Sequence, residues 1–272
     1  MVGALPPVVF SHGNSFPAST YRVMLDSLRA RGFADVDALE KFGHDPKYPV
    51  TDNWPHLVLQ LADFAQARAD AASSPVFLVG HSLGGFLSLM CAARHPQLAA
   101  GVVLLDSPLI GGWRANALGL VKRTPLMNRI SPSVVSRKRK NSWADREAVF
   151  EHFRQKKAFA KWDAQVLHDY IDHGTLQAQD TRLLAFEREV ETAIYDTLPD
   201  NLSGILRRNP LKCPVAFVGG RQSLEMRRVG MAMTLQVTRG RIAMLDGTHL
   251  FPMEKPIATA AAIEAALRNM PS

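Results

Sequence analysis

A short apolar run, Pro75-Val76-Phe77-Leu78-Val79, feeds directly into Gly80-His81-Ser82-Leu83-Gly84-Gly85, and a helical pattern from Leu83 to Arg94 follows without a linker. β-Branched and aromatic residues favour the extended run. The helical stretch stops at His95-Pro96, because the residue before a proline is pushed out of helical geometry. A chain that passes from strand to helix in so few residues must bend sharply. Glycines at 80 and 84 suit such a bend, since they leave room for neighbouring backbone.

The same strand–helix alternation runs along most of the chain. Pro7 to Ser11 reads as a short buried strand, Ser19 to Arg31 as an amphipathic helix stopped by Gly32, and Phe33 to Leu39 as a weaker strand. Trp54 to Ala72 reads as a helix, and Val102 to Leu105 as a strand closing on Asp106. From about Ser107 to Asn209 the pattern turns helical, with few strand signals. Pro214 to Val218, Leu224 to Val237, Ile242 to Leu245 and Ile257 to Asn269 then restore strand, helix, strand and helix. Alternation of this kind predicts an α/β fold, with a mostly parallel sheet covered by helices on both faces. Residues 1–106 and 210–272 would form that core, and residues 107–209 a helical lid on one sheet edge.

Composition narrows the class further. With 47% hydrophobic and 21% charged residues over 272 positions, the chain is globular and long enough to bury a large core. Its two cysteines, Cys91 and Cys213, each lie in an apolar stretch, which argues for buried free thiols and against a disulfide framework. No stretch reaches the ~18 apolar residues of a membrane span, and the N-terminus lacks the pattern of a signal peptide, so a cytoplasmic location is expected. The net charge of +7 owes much to Arg137-Lys138-Arg139-Lys140, which reads as a solvated run. Without interleaved aromatic residues it suggests no nucleic-acid partner.

The pattern Gly80-His81-Ser82-Leu83-Gly84 fits G-x-S-x-G, in which a strained strand-to-helix turn exposes the serine hydroxyl. A serine needs an adjacent base to act as a nucleophile. Of nine histidines, His249 is the best placed, in the loop Asp246-Gly247-Thr248-His249 directly after the last strand. In a parallel sheet that loop opens on the same edge as the turn carrying Ser82. Two backbone amides should face the charge that develops on a carbonyl oxygen. Leu83, just after the serine, would supply one. Asn14, in the Ser11-His12-Gly13-Asn14-Ser15-Phe16-Pro17 loop after the first strand, would supply the other.

With these residues in view, the chain resembles the α/β-hydrolase family. His12-Gly13-Asn14, Gly80-His81-Ser82-Leu83-Gly84 and Gly247-Thr248-His249 carry the resemblance, over about residues 5–106 and 210–270, and the intervening segment matches the family's cap domain. It implies a serine hydrolase with a catalytic triad, most often acting on esters, with no metal and no organic cofactor. The partner would be a small-molecule acyl or ester substrate. Thioesterase, acyltransferase or carbon–carbon bond hydrolase activity could use the same serine, and a weakly active ligand-binding protein is the reading from a different class. A haloalkane dehalogenase is disfavoured, because its nucleophile position would hold aspartate.

Two departures from the family stand out. The chain starts at what would be the family's third strand, so the two leading strands are missing. The aspartate usual after the strand that follows the cap is replaced by serine in Gly219-Gly220-Arg221-Gln222-Ser223-Leu224-Glu225. The histidine needs a carboxylate to fix its tautomer. Asp106, at the end of its strand, is the first choice and Glu225 the alternative; Asp246 reads better as a turn cap.

The segment 107–209 is rich in aromatic and histidine residues, which would mostly pack it against itself and the sheet. Trp113 is the candidate to line a substrate pocket. No H-E-x-x-H spacing occurs, so no metal site is expected. Nothing in the sequence sets the oligomeric state.

Overall fold

The computed structural model describes residues 5–109 and 133–271. Along the chain the strands are β1 (Val8–Ser11), β2 (Val36–Ala38), β3 (Val76–His81), β4 (Ala99–Leu105), β5 (Ser142–Trp143), β6 (Thr175–Ala178), β7 (Thr181–Leu184), β8 (Val215–Gly220) and β9 (Ile242–Leu245). The helices are α1 (Arg22–Ala30), α2 (Pro55–Ala72), α3 (Leu83–Arg94), α4 (Ser133–Arg137), α5 (Arg146–Arg154), α6 (Ala164–His173), α7 (Arg188–Asp196), α8 (Leu202–Arg208), α9 (Leu224–Val229), α10 (Ala232–Thr238), α11 (Phe251–Glu254) and α12 (Pro256–Arg268).

Six strands form one sheet in the order β2-β1-β3-β4-β8-β9, and every pairing in it is parallel. β3 and β4 are almost wholly apolar because both of their faces are covered. Period-two alternation divides their side chains between two cores. Val9, Leu78, Val102 and Leu104 pack with Leu57 and Leu61 of α2 and Leu87 and Met90 of α3. Phe10, Val79, Val103 and Leu105 pack on the other face with Met24 and Leu28 of α1 and Ile263 and Leu267 of α12. The register pairs Ser11 with Gly80 and Gly80 with Leu104, so β1, β3 and β4 end side by side. Among the described residues nothing pairs with the outer edge of β2.

The segment between β4 and β8 departs from the helical expectation. It carries a second, three-stranded antiparallel sheet in the order β5-β7-β6. These strands run two to four residues, too short for alternation to register in the sequence. Trp143, Phe153, Phe159, Trp162 and Tyr170 pack there as the sequence suggested, and Phe16 from the loop after β1 joins them, 5.5 Å from Trp162 and 5.7 Å from Tyr170 between ring centres. Trp113 lies outside the described residues. The helix expected from Leu224 to Val237 is two helices, broken where Gly230 adopts φ 81°. Cys91 is buried and Cys213 half-buried, and both are free thiols.

The basic run is also not uniformly solvated. The Arg139 side chain, only 12% exposed, pairs at 2.8 Å with that of Glu191 of α7, 7% exposed. It also donates to the Tyr170 hydroxyl. Glu191 reaches the loop after β1 as well: its other carboxylate oxygen accepts from Ser15 Oγ at 2.5 Å, and its backbone carbonyl accepts from Asn14 Nδ2 at 3.0 Å. Removing one partner of a buried ion pair leaves a desolvated charge. Glu191→Ala should therefore destabilise the fold by about 3 kcal/mol, seen as a lower urea midpoint at unchanged slope; an unchanged midpoint would contradict the assignment.

Candidate active site

β3 ends at His81 and α3 begins at Leu83, so Ser82 makes the turn alone, with φ 52° and ψ −114°. Residues other than glycine rarely adopt such a conformation. Packing imposes it. A Cβ at Gly80 would lie 2.2 Å from the Gly84 backbone, and one at Gly84 would lie 2.0 Å from the Ser11 carbonyl oxygen. The helix start is thus pressed against the end of β1 and back onto the end of β3. The Ser82 amide donates to the Leu105 carbonyl at 3.0 Å, and Ser107 Oγ donates to the Ser82 carbonyl at 2.9 Å.

Asp106 follows β4 with φ 43° and is fully buried. Its Oδ1 accepts the Gly220 amide at 2.8 Å, and its Oδ2 accepts Ser223 Oγ at 2.6 Å and His249 Nδ1 at 2.7 Å. A carboxylate only accepts, so the imidazole carries its proton on Nδ1 and leaves Nε2 bare. Nε2 lies 3.1 Å from Ser82 Oγ. Three residues that are far apart in sequence therefore form one contiguous chain of hydrogen bonds. Glu225 stands aside, its Oε2 4.0 Å from His249 Nδ1 and its side chain 45% exposed. Ser223, which occupies the place where the sequence lacked an aspartate, donates to the carboxylate at 106 and caps α9 by accepting the Met226 amide at 3.2 Å.

The loop bearing His249 is itself anchored. Glu254 accepts the Thr248 amide at 3.0 Å, and the Gln222 amide donates to the Gly247 carbonyl at 2.9 Å. Gly220, Ser223 and Glu254 gave no signal as site residues in the sequence, because their roles depend on contacts between separate loops.

Charge follows from these contacts. Burial pushes the Asp106 pKa up, but the His249 hydrogen bond and charge, with the Gly220 amide and Ser223 hydroxyl, outweigh it and hold the carboxyl below its ordinary range. Burial works against a charged His249, but the hydrogen bond and charge of Asp106, helped by Glu225, leave its pKa above the ordinary histidine value. The donor atoms of Asp106, Glu225 and His249 lie within 4.8 Å of one another, although the first and last are committed to each other.

The two amides expected to face a carbonyl oxygen are available. Among the described residues neither Leu83 nor Asn14 donates its backbone N–H within the protein. The neighbouring Gly13 amide is already taken, by the Tyr21 hydroxyl at 2.9 Å. The Asn14 side chain is turned away, onto Glu191.

Comparison with known proteins agrees with this architecture. Residues 8–262 match the model of the alpha/beta hydrolase family. The chain belongs to that family. A stretch of 90 residues is 37% identical to the monoglyceride lipase of Mus musculus, covering 29% of each chain. The chain thus spans well under two thirds of the curated relatives it matches. Among solved structures, E-2-(acetamidomethylene)succinate hydrolase superposes with a TM-score of 0.72 at 20% identity, over 98% of this chain and 92% of that one. The peroxisomal alpha-beta-hydrolase Lpx1 of Saccharomyces cerevisiae gives 0.76 at 16% identity, over 98% and 78%. These likenesses establish the fold.

Gly84→Ala tests the packing that holds Ser82. Its methyl group would collide with the Ser11 carbonyl, and the expected loss is about 3 kcal/mol or more, read as a lowered thermal midpoint. A variant as stable as the parent would show that the turn is not sterically forced.

Proposed function

We propose that the protein is a serine hydrolase that cleaves carboxylic esters through a covalent acyl-enzyme. The observation that carries this reading is the unbroken chain from Ser82 Oγ through His249 to Asp106, at 3.1 and 2.7 Å. Family membership supports it at the level of hydrolysis.

His249 Nε2 takes the Ser82 proton as Oγ attacks the acyl carbonyl. The resulting oxyanion is bound by the Leu83 and Asn14 amides, which need not break other bonds to receive it. His249, now an imidazolium facing the Asp106 carboxylate, returns the proton to the leaving alcohol. Water then repeats the sequence on the acyl-enzyme, with His249 again as base. The segment 133–209, with Phe16 locked into its aromatic cluster, acts as a cap that bounds the acyl pocket. Other acyl donors, thioesters among them, would pass through the same steps; the pocket decides between them.

Ser82→Ala should abolish hydrolysis of a short p-nitrophenyl ester, a fall on the order of 10⁶-fold, with the fold intact by circular dichroism. Turnover near the parent level would refute the assignment.

The acid limb of the pH profile tests the charges. His249 must be neutral to act as base, and its pKa is raised, so kcat/KM should fall with decreasing pH through a midpoint above the ordinary histidine value. Asp106→Asn should cost about 10⁴-fold in turnover. Glu225→Gln should keep turnover and move the limb to lower pH, because it removes a negative charge near the imidazolium. The converse result, with Glu225→Gln inactive and Asp106→Asn active, would reverse the assignment of the acid.

A further inference from the structure

His81 sits beside the nucleophile, yet no step above uses it. It is completely buried, as is Tyr21 at 1% exposure. Its Nε2 lies 2.9 Å from the His249 backbone carbonyl, and its Nδ1 lies 2.7 Å from the Tyr21 hydroxyl. A carbonyl only accepts, so the His81 proton is on Nε2 and Nδ1 is a bare acceptor. The Tyr21 hydroxyl must then donate to Nδ1, and its oxygen accepts the Gly13 amide at 2.9 Å. Each proton in this chain has one consistent position.

We infer that Tyr21 and His81 are positioning residues for hydrolysis, a relay of hydrogen bonds that fixes the loop of the oxyanion amide at Asn14 relative to the loop of the base at His249. The inference rests on the reading of Ser82 and His249 given above. One end of the relay holds Gly13, the residue before Asn14. The other end holds the backbone of His249 itself. Both loops sit at the ends of strands but are not adjacent in the sheet, since β1 and β9 are its second and sixth strands. The relay crosses that gap through the turn that carries Ser82.

The packing suits the role. A Cβ at Gly13 would lie 2.8 Å from His81 Nδ1 and 3.0 Å from the Tyr21 hydroxyl, so the backbone is drawn close to the pair. The Tyr21 ring rests on Phe10 at 4.7 Å between centres, so a phenylalanine at 21 can keep the packing. His81 must also remain uncharged. Its ring centre is 5.0 Å from that of His249, and a second imidazolium there would oppose the charge that His249 gains in the reaction. Burial pushes the His81 pKa down to about 3, with the charge of His249 adding to the effect. Burial likewise pushes the Tyr21 hydroxyl well above its ordinary value. Both stay neutral across the working pH range.

The test is the rate at which a fluorophosphonate probe labels the protein, which needs no knowledge of the substrate. Tyr21→Phe deletes both hydrogen bonds of the hydroxyl. His81→Asn keeps an acceptor for Tyr21 but no longer reaches the His249 carbonyl. Each variant should be labelled roughly 10–100-fold more slowly while keeping a cooperative thermal transition. The double variant should be little slower than the slower single one, because the two act as one unit. Single variants labelled within about twofold of the parent, or fully multiplying losses, would overturn the relay alone. A parent protein that the probe does not label would overturn the relay together with the reading of Ser82. Should either variant fail to fold, ¹⁵N histidine spectra of the parent decide. The relay requires a neutral His81 ring with its proton on Nε2 from about pH 5 to 9, and a titrating ring or the other tautomer would contradict it.

Discussion

The steric contact between the start of α3 and the end of β1 is the constraint from which the site follows. Helix and strand approach so closely that a side-chain carbon at Gly84 would meet the Ser11 carbonyl, and one at Gly80 would meet Gly84. The chain can satisfy both contacts only by turning within one residue, and that residue, Ser82, is forced to positive φ. Backbone strain at such a position is tolerated when surrounding structure over-determines it. Here the surrounding structure is the sheet itself, since the Ser82 amide is held by the last carbonyl of β4. The hydroxyl is therefore aimed by the packing of the whole core.

The same sheet edge gathers the remaining groups. Parallel strands end on one side, and the loops after β1, β3, β4 and β9 carry Asn14, Ser82, Asp106 and His249. The Asp106 carboxylate leaves β4, while β8 ends in Gly219-Gly220 and the loop after it carries Ser223. This arrangement is internally complementary: the β8 loop gives Asp106 an amide and a hydroxyl, so the buried carboxylate has its partners from the neighbouring strand end. A buried carboxylate is stable only when its oxygens are satisfied. The serine at 223 is thus part of how the carboxylate is held at 106.

Much of this was legible in the sequence, for reasons that can be named. β3 and β4 are runs of mostly apolar residues, and the glycines at 80 and 84 record a steric requirement directly. His249 stands out in the sequence because a parallel sheet sends the loops after its strands to one edge. Less was legible where the signal is non-local. The choice between Asp106 and Glu225 depends on distances of 2.7 and 4.0 Å across separate loops. Arg139 sits in a run of four basic residues and reads as solvated, yet its partner Glu191 lies on a helix far along the chain. The short strands β5, β6 and β7 are held by one another and leave no periodic trace. Burial and hydrogen-bond partner together decide what each histidine does, and neither is written in local sequence. His12 and His81 are fully buried and His249 is half-buried; the first two are held neutral, their pKa values pushed down to about 4 and about 3 chiefly by burial, while Asp106 raises the third.

The central claim is that the hydroxyl at 82 becomes covalently acylated during turnover. Rapid acid quench of the protein with p-nitrophenyl acetate, followed by proteolysis and mass spectrometry, tests it most directly. The account predicts one added acetyl group, on the peptide containing Ser82, formed and lost at rates compatible with turnover. Steady hydrolysis with that peptide unmodified, or acetyl accumulating at another residue at the turnover rate, would contradict it.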